Sequence, residues 1–234
     1  MSDDAISAAA MVAHCCEQLR AKIGNRQNAT GVVIGCGNGD EVAYIGSALG
    51  ARVFGIDVEN RFSLRSRRRV VLGDALRLPF RSGVFDFAVA LHSLEHVGDP
   101  AQAVAEASRV LLPGGWFYAG VPNRTRLVGY LGSFDASTWQ KIAWNAEDWL
   151  ARLRGQFRNE AGAHAGFDRE EFACLLGSCF SNVAILTEEY LRFKYARRIP
   201  SAILNRLLSP RWLPYSAPAH YAFCRKPGGN GGSS

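Results

Sequence analysis

The stretch that most constrains this fold runs from Thr30 to Asp40 and reads Thr-Gly-Val-Val-Ile-Gly-Cys-Gly-Asn-Gly-Asp. Its three consecutive β-branched residues predict a short buried strand. Glycines follow at Gly35, Gly37 and Gly39, and apolar residues then recur at helical spacing. A strand, a glycine turn and a helix N-terminus bring backbone N–H groups close to a bound ligand. The stretch therefore predicts a ligand-binding turn in an α/β protein.

The spacing of the glycines restricts the kind of ligand. A dinucleotide-binding G-x-G-x-x-G fingerprint needs glycine at position 40, where this chain has Asp40. An aspartate at a helix N-terminus also repels a pyrophosphate. A phosphate-binding P-loop is excluded because no Gly-Lys-Ser/Thr follows. The loop favours a nucleoside ligand without a pyrophosphate.

Four more strands and two loop motifs follow in order. Asp57 ends the second strand 18 residues after Gly39, where its carboxylate can accept both hydroxyls of a ribose. The strands are predicted at 52–56, 70–72, 85–91 and 116–121, and the loop motifs are Gly73-Asp74-Ala75 and Leu111-Leu112-Pro113-Gly114-Gly115. With these motifs the chain resembles, over about residues 28–122, the class I S-adenosylmethionine (SAM)-dependent methyltransferases of the small-molecule type, related to the ubiquinone and menaquinone methyltransferases.

The resemblance implies a fold, a cofactor and a reaction. The fold would be a doubly wound, Rossmann-like α/β domain with a seven-stranded, mostly parallel sheet and an antiparallel edge strand. The cofactor would be SAM, the product S-adenosylhomocysteine, and the reaction an in-line transfer of the methyl group to a small-molecule acceptor. By similarity, the cofactor-binding residues would be Gly35, Cys36, Gly37 and Gly39 for the methionine and ribose, Asp57 and Val58 for the ribose, Asp74 and Ala75 for the adenine edge, and Leu91 at the sulfonium end.

Two departures from the family pattern keep an alternative open. The family usually has an acidic residue two positions before the first motif glycine, and this chain has Val33 there. Gly73 follows Asp57 by only sixteen positions, which is too few for the usual full helix between the second and third strands. The alternative is a protein that binds SAM with little or no turnover.

The candidate bases lie beyond the fourth strand, in the segment His92-Ser93-Leu94-Glu95-His96. The Asn/Asp-Pro-Pro-Tyr tetrad of amino-group methyltransferases is absent, and the order His-Ser-Leu-Glu-His is not the zinc motif H-E-x-x-H. No metal site is therefore expected. His96 matches a histidine that the family commonly carries, and an imidazole has the right chemistry for a base near neutral pH; the alternative is a structural hydrogen bond. His164, in a His-x-x-Phe arrangement, is the second candidate base.

Helices and further strands are predicted around this core. An N-terminal helix spans residues 6–23, Asp99-Pro100 begins another, and Asp168 with Glu171 resembles a capping box before a helix over 169–176. An amphipathic helix over 137–154 carries a stripe of Trp139, Ile142, Ala146, Trp149 or Leu150, and Leu153. Such a stripe is more often core, although its position also fits a lid that walls the substrate pocket. The sixth and seventh strands are predicted over 181–190 and 219–224.

The C-terminal part of the chain is basic. Residues 190–234 contain eight Lys or Arg and no Asp or Glu, in a chain of formal net charge +6. A short apolar helix near Ile203 and Leu207, flanked by cations and aromatics, predicts either a contact of residues 192–212 with an anionic membrane surface or an entry for an anionic, partly apolar acceptor. The alternative is a packed helix with a solvated rim. An RNA methyltransferase remains a weaker hypothesis, and nucleic acid is not the expected partner.

The length predicts one domain over residues 1–227, with a helical lid insert at about 123–165, a basic insert at about 191–217 and a flexible tail at 228–234. No signal peptide and no run of 18 apolar residues is present, and the six cysteines form no C-x-x-C pair. We therefore expect a cytoplasmic protein, with peripheral membrane contact through the basic insert left open.

Overall fold

The computed structural model describes residues 3–24, 28–63, 69–130, 137–159 and 165–228, with side chains from residue 10 onward. The strands are β1 (Thr30–Ile34), β2 (Arg52–Asp57), β3 (Val70–Leu72), β4 (Phe85–Leu91), β5 (Leu111–Pro122), β6 (Ser181–Ile185) and β7 (Ala219–Arg225). The helices are α1 (Asp3–Ile23), α2 (Asp40–Leu49), α3 (Pro100–Val110), α4 (Thr138–Leu153), α5 (Arg169–Gly177), α6 (Thr187–Tyr195), α7 (Ser201–Leu207) and α8 (Leu213–Ser216), with a short 3₁₀ helix at Leu94–His96.

The seven strands form one sheet in the order β3-β2-β1-β4-β5-β7-β6. Strands β1 to β5 pair in parallel, whereas β7 is antiparallel to both β5 and β6. The predicted doubly wound α/β fold is confirmed, with the antiparallel strand one position inside the edge. The strand order reverses direction between β1 and β4, which opens a crevice at the carboxyl ends of the strands.

Two apolar layers cover the sheet. All seven residues of β4 are buried, as expected for a parallel strand that is covered on both faces. Phe87 and Val89 pack in the cluster that includes α1, α2, α6 and α7, whereas Ala88 and Ala90 pack in the cluster that includes α3 and α5. The side chains of β4 thus alternate between the two layers.

Several predicted helix ends are confirmed. The Asp99 side chain accepts a hydrogen bond from the Gln102 N–H at the start of α3, with Pro100 at the first position. Asp168 and Glu171 form a complete capping box on α5. Helix α1 ends at Gly24, whose φ of +58° is in the left-handed region that glycine favours.

The predicted sixth strand over 181–190 is wrong in its second half. Strand β6 ends at Ile185, and α6 begins at Thr187. The acidic first turn of α6 suits the positive end of the helix dipole. Glu188 also pairs with Arg192 one turn later, with Oε1 and Nη2 2.9 Å apart. These local interactions favour a helix over a continued strand.

Of the two interpretations of the α4 stripe, core or lid, the structure excludes core. The helix forms where expected and begins with a capping box at Ser137. However, Trp139 is 80% exposed and Leu153 82% exposed, while the buried residue of the helix is Asp148. Helix α4 therefore turns its polar face inward and its apolar face outward. Among the described helices, none is long and apolar enough to cross a bilayer.

Candidate active site

The glycine loop between β1 and α2 is held against the end of β2. The backbone N–H groups of Gly35 and Cys36 both donate to the Ile56 carbonyl, at 2.9 and 3.0 Å. Gly35, Gly37 and Gly39 have φ values of +72°, +52° and +82°. Three left-handed residues in alternation explain why this turn needs three glycines.

The glycine loop is tightly packed at Gly35 and open at Gly37. A Cβ on Gly35 would lie 2.3 Å from the Cβ of Ser93, so this position excludes every side chain. A Cβ on Gly37 would meet no atom within 4 Å. The loop thus packs closely on the strand side and presents open backbone at Gly37. This cradle fits the nucleoside part of a cofactor such as SAM.

Asp57 connects β2 to the glycine loop. Its Oδ2 accepts a hydrogen bond from the Gly37 N–H at 2.8 Å, and its Oδ1 accepts one from the Glu59 N–H at 2.9 Å. Because a carboxylate has about four lone-pair sites, each oxygen can accept a further bond from a ribose hydroxyl. Asp57, the residue predicted to bind the ribose, therefore has the right chemistry and lies beside the accessible backbone of Gly37.

The other predicted cofactor residues are at the same edge of the sheet. Asp74 is exposed, and its Oδ1 accepts a hydrogen bond from the Leu76 N–H at 2.9 Å. Ala75 is half-buried and packs against the apolar layer that includes α3. Val58 is 66% exposed, and Leu91, at the end of β4, is buried. Asp57, Asp74 and Leu91 lie at or just beyond the carboxyl ends of β2, β3 and β4.

Two imidazoles flank one buried carboxylate at the end of β4. Glu95 Oε1 lies 3.7 Å from His92 Nδ1 and 3.9 Å from His96 Nε2, and the Glu95 side chain is 1% exposed. The His96 side chain is 52% exposed, so it can reach a molecule in solution. The structure thus places the predicted base His96 beside a buried carboxylate.

The sequence analysis missed His92 as a candidate base. Its φ of +51° turns the chain sharply after β4, and its Nε2 lies 3.4 Å from the Tyr221 hydroxyl. The three-residue spacing of His92 and Glu95 was visible in the sequence. The contact with Tyr221 joins residues 129 positions apart, and no local signal predicts it.

Two groups near the loop have shifted pKa values. Burial, with a smaller contribution from Asp57, raises the pKa of the Cys36 thiol to about 12, so this cysteine is a packing group and not a nucleophile. Burial also raises the pKa of the Glu41 carboxyl to about 7, although nearby His92 opposes part of that shift. A cation bound beside Glu41 would favour its charged form.

The second predicted base, His164, lies outside the described residues. Within the described ranges, no group of three or more His, Cys, Asp or Glu side chains is placed to hold a metal ion.

Comparisons with known proteins agree with this geometry. Residues 32–119 match a family model described as "Methyltransferase domain". The chain is 36% identical over 95 residues to the chloroplastic tocopherol O-methyltransferase of Arabidopsis thaliana, covering 36% of this chain and 27% of that protein. It is 26% identical over 179 residues to the demethylmenaquinone methyltransferase of Oceanobacillus iheyensis, covering 63% of this chain and 73% of that protein.

A solved structure shares the fold over most of the chain. The geranyl diphosphate C-methyltransferase of Streptomyces coelicolor superposes with a TM-score of 0.53 and 17% identity, covering 92% of this chain and 77% of that one. The chain spans 27–34% of the length of the first curated relatives that it matches. The expectation of a methyltransferase domain is confirmed over residues 32–119.

Proposed function

We propose that this chain, which carries a methyltransferase domain over residues 32–119, transfers the methyl group of SAM to a small-molecule acceptor. The observation that carries the proposal is the pairing of the open glycine loop with Asp57. Gly37 presents its backbone without side-chain obstruction, and its N–H is 2.8 Å from Asp57 Oδ2. This pair lies where the strand order reverses, which is where open α/β sheets bind ligands.

The residues proposed to hold the cofactor are those expected from the resemblance. They are Gly35, Cys36, Gly37 and Gly39 for the methionine and ribose, Asp57 and Val58 for the ribose, Asp74 and Ala75 for the adenine, and Leu91 at the sulfonium end. When bound, SAM supplies an electrophilic methyl group that an acceptor nucleophile displaces in line. The work of the protein is then to orient the two reactants and to exclude water.

His96 is the proposed base for an acceptor that must lose a proton. Its imidazole is half-exposed and faces Glu95, whose buried carboxylate would stabilise the imidazolium that forms. His92 contacts the same Glu95 oxygen and is a second candidate found from the structure. His164 stays a prediction.

The nature of the acceptor follows from charge and from the relatives. We infer an acceptor that is apolar in part and anionic, because the basic insert lies near the same edge of the sheet and exposes cations. The relatives named for tocopherol, demethylmenaquinone and geranyl diphosphate support a prenylated or phosphorylated acceptor. Contact of residues 192–212 with a membrane, a cytoplasmic location and any oligomeric state stay predictions.

A binding protein without turnover is the second candidate function. Val33 is fully buried in β1 at the position where the family usually has an acidic residue, so this chain lacks that polar contact. This candidate predicts SAM binding that no acceptor converts into S-adenosylhomocysteine.

Calorimetric titration of the full chain with SAM and S-adenosylhomocysteine tests both candidates. Asp57→Asn removes the charge that the ribose hydroxyls would face and should weaken both ligands by about 10- to 100-fold. His96→Ala, the matched variant at the same edge, should keep both affinities and lower turnover of an accepted substrate by about 100-fold. Equal binding by wild type and Asp57→Asn, or no binding at all, would contradict the proposed cofactor site.

A further inference from the structure

A second surface, outside the cofactor cradle, exposes apolar side chains from α4, from the segment after β5, and from α7 and α8 with the turn between them. On α4 the residues Ile142 and Leu150 are 53% and 48% exposed, beside Trp139 and Leu153. In the connecting segment Leu127 and Val128 are 43% and 48% exposed. We call the whole surface the docking face; it comprises Leu127, Val128, Trp139, Ile142, Trp149, Leu150, Leu153, Ile203, Leu207, Trp212 and Tyr215.

Hydrogen bonds connect these elements to one another. The Leu127 N–H donates to the Tyr215 carbonyl in α8 at 2.9 Å. The Leu127 carbonyl accepts from Trp149 Nε1 in α4 at 3.2 Å. Leu127 therefore joins α4 to α8, and Ser216 Oγ joins α8 to the Leu207 carbonyl at the end of α7 at 2.7 Å.

The docking face is joined to the edge of the sheet that carries the glycine loop, which we call the active edge. Asn123 follows directly after β5 and is fully buried. Its Nδ2 donates to the carbonyls of Pro214 and Ala217, at 2.7 and 2.8 Å. The face and the glycine loop thus lie at the same edge, where the carboxyl ends of the parallel strands meet.

The polar face of α4 is already satisfied by the protein, which leaves its apolar face for another partner. Asp148 accepts from Arg126 Nη2 at 2.8 Å and from the Tyr130 hydroxyl at 3.0 Å. Asn145 exchanges hydrogen bonds with the backbone N–H and carbonyl of Gly129. A rotation of α4 that buried Trp139 and Leu153 would break this network of buried hydrogen bonds. The orientation of the helix therefore keeps both side chains exposed.

The exposed charges around the docking face are mainly positive. Within α4, α7 and α8, Glu147 is the one exposed carboxylate. Arg206 lines a cleft of about 530 Å³ together with Ala202, Ile203, Leu207 and Trp212. Arg211, next to Trp212, is exposed as well. Apolar and aromatic side chains bordered by cations are the composition that binds an anionic lipid surface.

We propose that the docking face binds the surface of an anionic lipid bilayer. A twofold contact with a second copy would place Arg206 and Arg211 near the same cations of its partner, so the charges disfavour self-association. Trp and Tyr side chains suit the boundary between head groups and acyl chains. Binding in this orientation would set the active edge beside the bilayer, from which a membrane-dissolved acceptor could enter.

Vesicle co-sedimentation of the full chain without cofactor tests this proposal independently of methyl transfer. Vesicles of phosphatidylcholine alone are compared with vesicles that contain about 30% phosphatidylglycerol. We expect binding to the anionic vesicles that is at least about tenfold stronger than to the neutral ones and that weakens as salt is added. Equal binding to both kinds, or to neither, overturns the proposal.

Variants locate the contact. Trp139→Glu/Leu153→Glu, at two positions exposed by 80% and 82%, should weaken binding by at least about tenfold while the circular dichroism spectrum is unchanged. Arg206→Glu/Arg211→Glu should abolish the preference for anionic lipid. The control Val84→Glu, at a 40% exposed valine on the opposite edge of the sheet, should bind as the wild type does. A stable dimer in light scattering that Trp139→Glu/Leu153→Glu dissolves would instead assign the face to a second copy.

Discussion

Helices α3 and α4 are both amphipathic and both begin with a side-chain cap, yet they are seated in opposite ways. In α3 the apolar residues Val104, Ala107 and Val110 are fully buried against the sheet. In α4 the buried group is Asp148, and the apolar stripe faces outward. The stripe of α3 is covered by the protein itself, whereas that of α4 is exposed.

The difference teaches what a helical stripe can and cannot predict. Periodicity shows that a helix has one apolar side, but it does not say which side meets the protein. In α4 the polar side packs against the protein, because the buried Arg126 guanidinium binds the Asp148 carboxylate on that side. Arg126 is only 4% exposed and donates to Asp148 and to the carbonyls of Asn123 and Ala165.

Of the changes that test this comparison between α3 and α4, Asp148→Ala should cause the largest loss of stability. The change removes the Asp148 carboxylate to which Arg126 Nη2 donates, and the loss of one partner of a buried ion pair typically costs about 3–5 kcal/mol. The loss should be confined to α4 and the 123–130 segment, so hydrogen exchange should show faster amides there and unchanged amides in β4. Glu147→Ala, the neighbouring exposed acid, is the control; protection of α4 that survives Asp148→Ala would contradict the inverted seating.

A matched pair of truncations measures the two stripes directly. Val104→Ala removes fully buried methyl groups from α3 and should lower the free energy of unfolding by about 2 kcal/mol. Leu153→Ala removes more carbon from an 82% exposed position on α4 and should change it by less than about 0.5 kcal/mol. Urea unfolding monitored by circular dichroism gives both values. A larger loss for Leu153→Ala would mean that the protein covers this stripe.

The smallest change in stability is expected when the N-cap side chains of α3 and α4 are removed. Asp99 and Ser137 each accept a hydrogen bond from the backbone N–H three residues later, and removal of such a cap costs about 1 kcal/mol. We expect Asp99→Ala to lower the stability of the whole domain, because α3 packs on the sheet. Ser137→Ala should raise the exchange rate of α4 amides and leave the urea midpoint unchanged. A shift of that midpoint would show that α4 unfolds together with the core.

The parts of the fold that local rules control could be predicted from the sequence. The strand, turn and helix around Gly35 follow from β-branched residues, glycines and apolar spacing within twenty residues. The position of Asp57 followed from the next strand, β2, because Asp57 is its last residue and lies at its carboxyl end. The end of β6 was missed because the apolar run over 183–186 does not show where the strand stops, and the Glu188–Arg192 ion pair that favours a helix lies beyond it.

The candidate site was predictable where one segment supplies it and not where distant segments meet. The contact of His92 with the Tyr221 hydroxyl joins residues 129 positions apart. The seat of α4 depends on Arg126 and Asp148, which are 22 residues apart. Neither contact has a periodic signature, so only the folded chain reveals it.

The double role of Asp57 ties the stability of the domain to its ligand. Both of its oxygens already bond to the backbone of the glycine loop and of Glu59, so the cradle is formed as part of folding and a ligand does not have to order it. Any molecule that binds there selects the folded chain over the unfolded one. Its affinity can therefore be read as a rise in melting temperature, which grows with the logarithm of its concentration once the site is filled.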